Sequence, residues 1–490
     1  MDPLHSAHAP LSLSRLTLPA FAKTLLFDNC VQINSNQMKE LIVTILLFSQ
    51  ALTENNLDVK FQWRELDFMF PSENSRTAAI ERGDFIPENN LPLGLEVYEN
   101  RLFITVPRWK SGVAASLAYI EITDSKFTPK LRPYPNWSAH NLNTSTTPEI
   151  VSPFRIKADQ CGRLWVLDTG LVDLLGDTKI LAPARISVYN LKNDSLIRQF
   201  TIPSDQLKED SFLGNIAVEV VSCDDTYAYV ADLGKGALIV YSWMSNSSWK
   251  INHNYFNIDP IESEFNVSGI KFQWTDGLFG IALTPPDERG FSTLYFHPLV
   301  SRNEFSVSTE ILRDPKLARI SYHKFTNLGT RGPRSQSTAS AFHWKSNVLF
   351  YGLVNLNAVG CWKTTKEYNE RNQGMVYQDD VYMIFPNDVK VDANDNLWVL
   401  SDRLPKFMYE KLDSTDVNFR IFTAPVSEAI KGTVCDSSDL RGIVLPPSTN
   451  QTVERATKLN SESAASFQQM YYPVLILLST FLCFTGYIMS

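Results

Sequence analysis

One pattern constrains this chain more than any other: a short β-rich run, often preceded by a polar turn and an earlier alternating strand, recurs six times. The runs are Leu102-Phe-Ile-Thr-Val, Leu164-Trp-Val-Leu-Asp, Ala228-Tyr-Val-Ala-Asp, Leu294-Tyr-Phe-His-Pro, Leu349-Phe-Tyr-Gly-Leu and Leu397-Trp-Val-Leu-Ser. Successive starts lie 62, 64, 66, 55 and 48 residues apart, close to what a four-stranded sheet and its loops consume. Upstream partners are clear at Phe154-Arg-Ile-Lys-Ala-Asp, Val218-Glu-Val-Val and Val389-Lys-Val-Asp, each followed by a polar turn, so the unit reads strand, tight turn, strand. Radial repetition covers each sheet's faces with its neighbours and leaves only short edges. The pattern therefore predicts an all-β fold, a six-bladed β-propeller over residues 52–445. Residues 59–70 lie ahead of the first blade and alternate imperfectly; they either supply a strand that closes the ring or merely cap it.

Composition agrees with a large buried core. Apolar residues make up 44%, aromatic residues 12% and charged residues 20%, too apolar and ring-rich for a disordered or fibrous chain. The 45 Lys and Arg against 53 Asp and Glu leave a net charge of −8, with no basic cluster of the kind that holds a phosphate backbone, so nucleic acid is not an expected partner.

The ends of the chain carry targeting signals. An apolar run at 41–48 follows Met38 and Lys39 and precedes Ser49-Gln50-Ala51, which reads as a secretory signal over 38–51 with residues 1–37 as an upstream extension. The last charged residue is Glu462; a polar linker over 446–469 then leads into an uncharged, largely apolar tail at 470–490. Small residues at Ser461, Ser463, Ala464 and Ala465 ahead of that tail match a lipid-anchor signal, the alternative being a terminal transmembrane helix. Either places the protein outside the cell, secreted or held at the surface through its tail, and a monomer is expected. Six glycosylation sequons, at Asn136, Asn143, Asn193, Asn246, Asn266 and Asn450, fit that route. Apart from Cys30 and Cys483 near the ends, Cys161, Cys223, Cys361 and Cys435 stand at long spacings without CxxC or neighbouring His, which argues for two disulfides rather than zinc. Three pairings are possible; Cys161 with Cys223 and Cys361 with Cys435 closes the shortest loops.

Several of these stretches resemble the yellow and major royal jelly protein family of insects. They are Lys60-Phe-Gln-Trp-Arg-Glu-Leu-Asp-Phe, Pro92-Leu-Gly-Leu-Glu-Val, Leu102-Phe-Ile-Thr-Val-Pro-Arg-Trp, the long run from Ser152 to Gly170, Thr275-Asp-Gly-Leu-Phe-Gly-Ile-Ala-Leu, Gly360-Cys-Trp and Phe385-Pro-Asn-Asp-Val-Lys-Val-Asp. The resemblance implies a secreted six-bladed propeller acting in cuticle pigmentation or sclerotisation, egg coats or glandular secretions. Some members are reported to convert dopachrome and some salivary members to bind biogenic amines, so the resemblance leaves enzyme and binder both open. The apolar tail departs from the family's usual soluble form.

Propeller ligands normally sit at one mouth of the central channel, so residues near the starts of the innermost strands are the site candidates: Glu96, Arg155, Asn215, Asp276, Ser340, Asn387 and Asp388. Converging carboxylates and amides would hold Ca²⁺ through oxygen, as in lactonase-type propellers, or pair with a protonated amine or with Arg155. Phe279, beside them, would stack on a catechol or indole ring. The plainer reading of Asp276-Gly277 and Asn387-Asp388 is turn residues between strands. No GxSxG elbow is present and the seven histidines show neither HExxH nor HxH spacing, so neither a serine hydrolase nor a zinc enzyme has support. No other cofactor is expected, and the expected small-molecule partner is an aromatic amine or catechol, bound or converted.

Overall fold

The computed structural model describes residues 56–142 and 148–436, and among them six antiparallel four-stranded sheets form a propeller. The blades begin with the strands Gly94–Tyr98, Pro153–Ala158, Leu213–Val220, Leu278–Leu283, Ser337–His343 and Pro386–Val391. Each of these innermost strands neighbours the next around the axis, and the last neighbours the first, so the ring is closed. The six β-rich runs of the sequence are the second strands, from Arg101–Thr105 to Asn396–Ser401.

The turn between first and second strands shows how the repeat is written in side chains. In Asp159-Gln-Cys-Gly-Arg-Leu-Trp165, Asp159 Oδ1 accepts from the backbone N–H of Cys161 (2.8 Å) and Arg163 (3.1 Å), while Oδ2 accepts from Trp165 Nε1 (2.8 Å). Asp392-Ala-Asn-Asp-Asn-Leu-Trp398 repeats this: Asp392 Oδ1 takes Asn394 N–H (2.8 Å) and Asn396 N–H (2.9 Å), and Oδ2 takes Trp398 Nε1 (2.8 Å). One aspartate thus satisfies the turn's donors and fixes the rotamer of a buried indole.

Of the two roles open to residues 59–70, the structure assigns ring closure. Asp58–Trp63 pairs antiparallel with Phe419–Pro425 and becomes the fourth strand of the last blade. Trp63 Nε1 also donates to Pro129 O (2.9 Å), stitching that blade to the first. Two disulfides reinforce neighbouring units: Cys161–Cys223 joins the first turns of blades two and three, and Cys361–Cys435 ties blade five to the segment beyond the last blade. Of the sequons, Asn136, Asn193, Asn246 and Asn266 are exposed. Asn143, Asn450 and the segments 1–37, 38–51, 446–469 and 470–490 lie outside the described residues. Among the described residues no helix is long and apolar enough to cross a membrane.

A side chain from the second strand of blade four lies so close over its inner strand that the position beneath it needs a glycine. A Cβ on Gly280 would lie 2.1 Å from Nε2 of His297. That imidazole cannot yield: it is fully buried, with Nδ1 2.8 Å from Glu304 Oε2 and Nε2 2.8 Å from Thr338 O. Gly280→Ala is therefore expected to cost about 2–4 kcal/mol of stability by overpacking and breaking this network. A denaturant midpoint within error of the wild type, at equal slope, would refute it.

Candidate functional site in the channel mouth

Chain segments leading out of the second strands and into the first strands meet at one end of the channel. There they enclose a cavity of about 390 Å³. Trp109, Leu233, Leu299 and Leu404 follow second strands; Phe212, Trp274, Asp276 and Phe385 precede first strands. The wall is mostly aromatic. Trp109 stacks on Phe154 (centroids 5.7 Å), Phe212 meets Phe154 edge-on (5.2 Å), and Phe154 meets Phe279 (6.1 Å). On the opposite rim Trp274 Nε1 donates to Tyr409 OH (2.7 Å), and Phe272 packs against both rings. These rim residues come from an inserted hairpin, Glu264–Val267 with Ile270–Gln273, and a short helix, Leu404–Tyr409.

Asp276 is the only ionisable carboxylate among the residues lining this cavity. Its backbone is tied down by Val300 N–H donating to Asp276 O (3.1 Å), but no described group donates to its side chain. Half-buried within apolar walls and without a cation, the carboxyl is pushed from 3.8 up to about 6 by desolvation. Thr338 and Asn387 supply further polar atoms on the wall. The chemistry on offer is a single anionic anchor in an aromatic cage, the arrangement that suits a small cation with a ring attached.

Beneath the cavity the channel is plugged. Arg155 is fully buried; its Nη2 donates to Asn387 O (2.9 Å) and Asn387 Oδ1 (2.7 Å), its Nη1 donates to Leu93 O, and its Nε lies 3.6 Å from Asp388 Oδ2. The guanidinium is flanked by Phe154 (4.8 Å) and Phe279 (5.2 Å). Asp388 also meets Lys390 (3.2 Å) and accepts from Leu95 N–H (2.9 Å). Asn387 Nδ2 donates to Asp402 (2.5 Å), whose carboxyl is pushed well above the usual range by burial, against the hydrogen bonds it receives. Glu96 is likewise raised by burial, with Lys157 at 3.2 Å opposing.

Of the eight residues named from sequence, Asp276, Phe279 and Asn387 line the cavity together. Glu96, Arg155 and Asp388 sit in the buried ionic plug, Asn215 Nδ2 donates to Phe279 O (2.9 Å), and Ser340 is buried within the inner strand of blade five. Calcium takes about six to eight oxygen ligands. No three or more His, Cys, Asp or Glu among the described residues are placed so that they could hold a metal ion, and the plug carboxylates are already held by cations and amides, so these carboxylates do not fit Ca²⁺. Sequence reasoning missed Trp109, Phe212, Trp274, Phe385 and Tyr409. A usable signal existed for three of them: Phe212, Trp274 and Phe385 each stand just ahead of an inner strand.

Residues 151–435 match the family model for the major royal jelly protein. Protein yellow of Drosophila subobscura is 44% identical over 401 residues, covering 81% of this chain and 70% of that protein. Protein yellow of Drosophila melanogaster is 42% identical over 440 residues, covering 89% and 80% respectively. Among solved structures, a luciferin-regenerating enzyme superposes with a TM-score of 0.41 at 10% identity, covering 69% of this chain and 91% of that one. A match over more than half the chain, together with relatives at this identity, establishes that the chain belongs to the major royal jelly protein family, alongside the yellow proteins.

Proposed function

We propose that this is a yellow-like propeller of the pigmentation pathway, working outside the cell, whose mouth cavity takes a small aromatic amine or catechol. The observation that carries this reading is Asp276, an unpartnered carboxylate set among aromatic walls. An ammonium group would pair with it and recover the desolvation cost, while the ring would stack against Phe279, Trp109 or Phe385. An extracellular setting is supported by the two disulfides and the four exposed sequons. Conversion of dopachrome is the second reading. It is favoured by the same carboxyl, because a group near 6 exchanges protons readily close to neutral pH and so suits a general base.

Calorimetry with dopamine, serotonin and dopa, run beside dopachrome turnover at matched protein concentration, tests both. Saturable binding of the amines is expected; turnover lost in Asp276→Ala would identify the enzyme. No heat with any of the three ligands and no turnover would sink the proposal.

A further inference from the structure

A second hollow of about 410 Å³ lies beside the mouth, between the tip of the inserted hairpin and the helix Leu404–Tyr409. Its charged lining is unlike that of the mouth: Arg403, Lys406 and, at the rim, the exposed Glu410. Arg403 is held in an uncommon backbone conformation for a non-glycine residue, φ 52°. Its Nη1 is anchored by Asp416 Oδ2 (2.7 Å) and reaches Asn418 Oδ1 (3.4 Å). The other edge of the guanidinium is unused. Nε is buried without a partner, and Nη2 makes no hydrogen bond among the described residues. Lys406 stands three residues on, half-buried; its ammonium makes no hydrogen bond or close ion pair among the described residues and meets Asp413 only through longer-range attraction. Glu410 lies four residues further along but does not pair with it. Opposite these cations the hollow is apolar, with Val267, Ile270 and Ile384.

A guanidinium edge with unused donors beside an ammonium that makes no hydrogen bond is a fork for a carboxylate, and leaving the buried Nε without an acceptor is costly. The geometry points to a second ligand site here, for a small organic monocarboxylate. Its carboxylate would sit on Arg403 and Lys406, and its apolar body against Val267, Ile270 and Ile384. Two features distinguish this ligand from inorganic phosphate. The apolar wall gives phosphate nothing to bury, and Glu410 repels a second negative charge. The site is independent of the amine reading of the mouth.

Titration calorimetry of the intact protein with butyrate, phenylacetate and inorganic phosphate tests it, using wild type, Lys406→Met and Asp276→Asn. The wild type is expected to bind phenylacetate and butyrate more tightly than phosphate. Lys406→Met, on a half-exposed helix, should weaken the carboxylates about tenfold through loss of one charge-assisted bond. Asp276→Asn should leave them unchanged, which separates this site from the mouth. Absence of carboxylate binding by the wild type, equal binding by Lys406→Met, or phosphate binding as tightly as phenylacetate would each overturn the assignment.

Discussion

Replacing Asp276 with Asn is expected to weaken binding of an aromatic amine by roughly 30- to 1,000-fold, the equivalent of about 2–4 kcal/mol, while making the empty protein more stable at neutral pH. The two effects share one cause. Burial in the mouth lifts the carboxyl from 3.8 to about 6, with no donor to offset the desolvation. Between those values the folded chain holds a proton that the unfolded chain has released, so stability falls as pH rises through the window from about 4 to 6 and stays low above it. Asparagine does not titrate and escapes that loss. Wild type and variant should unfold alike below about pH 4 and diverge above pH 6, with the variant ahead by roughly 1–3 kcal/mol. Amine affinity in the wild type should be level above about pH 6–7 and fall as acid protonates the anchor, approaching tenfold per pH unit. Melting curves and calorimetry across pH 4–8 check both halves. A variant that binds amines as the wild type does, or that loses stability at pH 7.5, would remove Asp276 from the centre of the site. Groups that cost stability where they stand are what a ligand-binding carboxylate is expected to look like.

That contrast also explains how much of the site was legible in the sequence. The blade repeat fixes where inner strands begin, and the residues at those starts do converge on the axis. Convergence alone does not separate a ligand anchor from a structural plug. Arg155, Asp388 and Asp276 are all charged residues at strand starts, but Arg155 and Asp388 face each other across the channel while Asp276 faces none. The partner that makes the difference is on another blade, 233 residues away for the Arg155–Asp388 pair, and no local pattern encodes it. One part of the cavity rim, by contrast, is set by an insertion outside the repeat. The hairpin carrying Phe265, Phe272 and the adjoining Trp274 does have a period-two pattern around Ser268-Gly269, both with positive φ, so its two four-residue strands were readable as a hairpin. Its docking against Tyr409 was not, because that contact spans 135 residues and depends on the ring having closed. Ring closure itself was half readable: residues 59–70 alternate only imperfectly, and pairing with Phe419–Pro425 decides that Asp58–Trp63 completes the last blade.

The largest stability loss is expected from Arg155→Met, about 3–5 kcal/mol, because it breaks a fully buried ionic plug rather than a surface pair. Methionine fills much of the volume between Phe154 and Phe279 but donates nothing. Leu93 O, Asn387 O and Asn387 Oδ1 would each lose a donor in the dry centre of the ring, and Asp388 would keep Lys390 and two backbone N–H groups but lose the guanidinium. Arg155→Lys should recover only part of the loss, since a single ammonium cannot span contacts that the planar fork makes to two blades at once. A neutral partner provides the sharper test. In the double variant with Asp388→Asn the buried charge that lost its guanidinium is gone, so the two substitutions should cost less together than the sum of their separate effects, by about 1–3 kcal/mol. Strict additivity of the denaturant midpoints would mean that Arg155 acts through packing alone. The plug also sets the floor of the mouth through Asn387, which Arg155 holds in place, so Arg155→Met should weaken amine binding without removing any group that faces the cavity. Loss of affinity that tracks the loss of stability across the Met, Lys and double variants would place the rigidity of the plug, rather than its charge, at the origin of the site's shape.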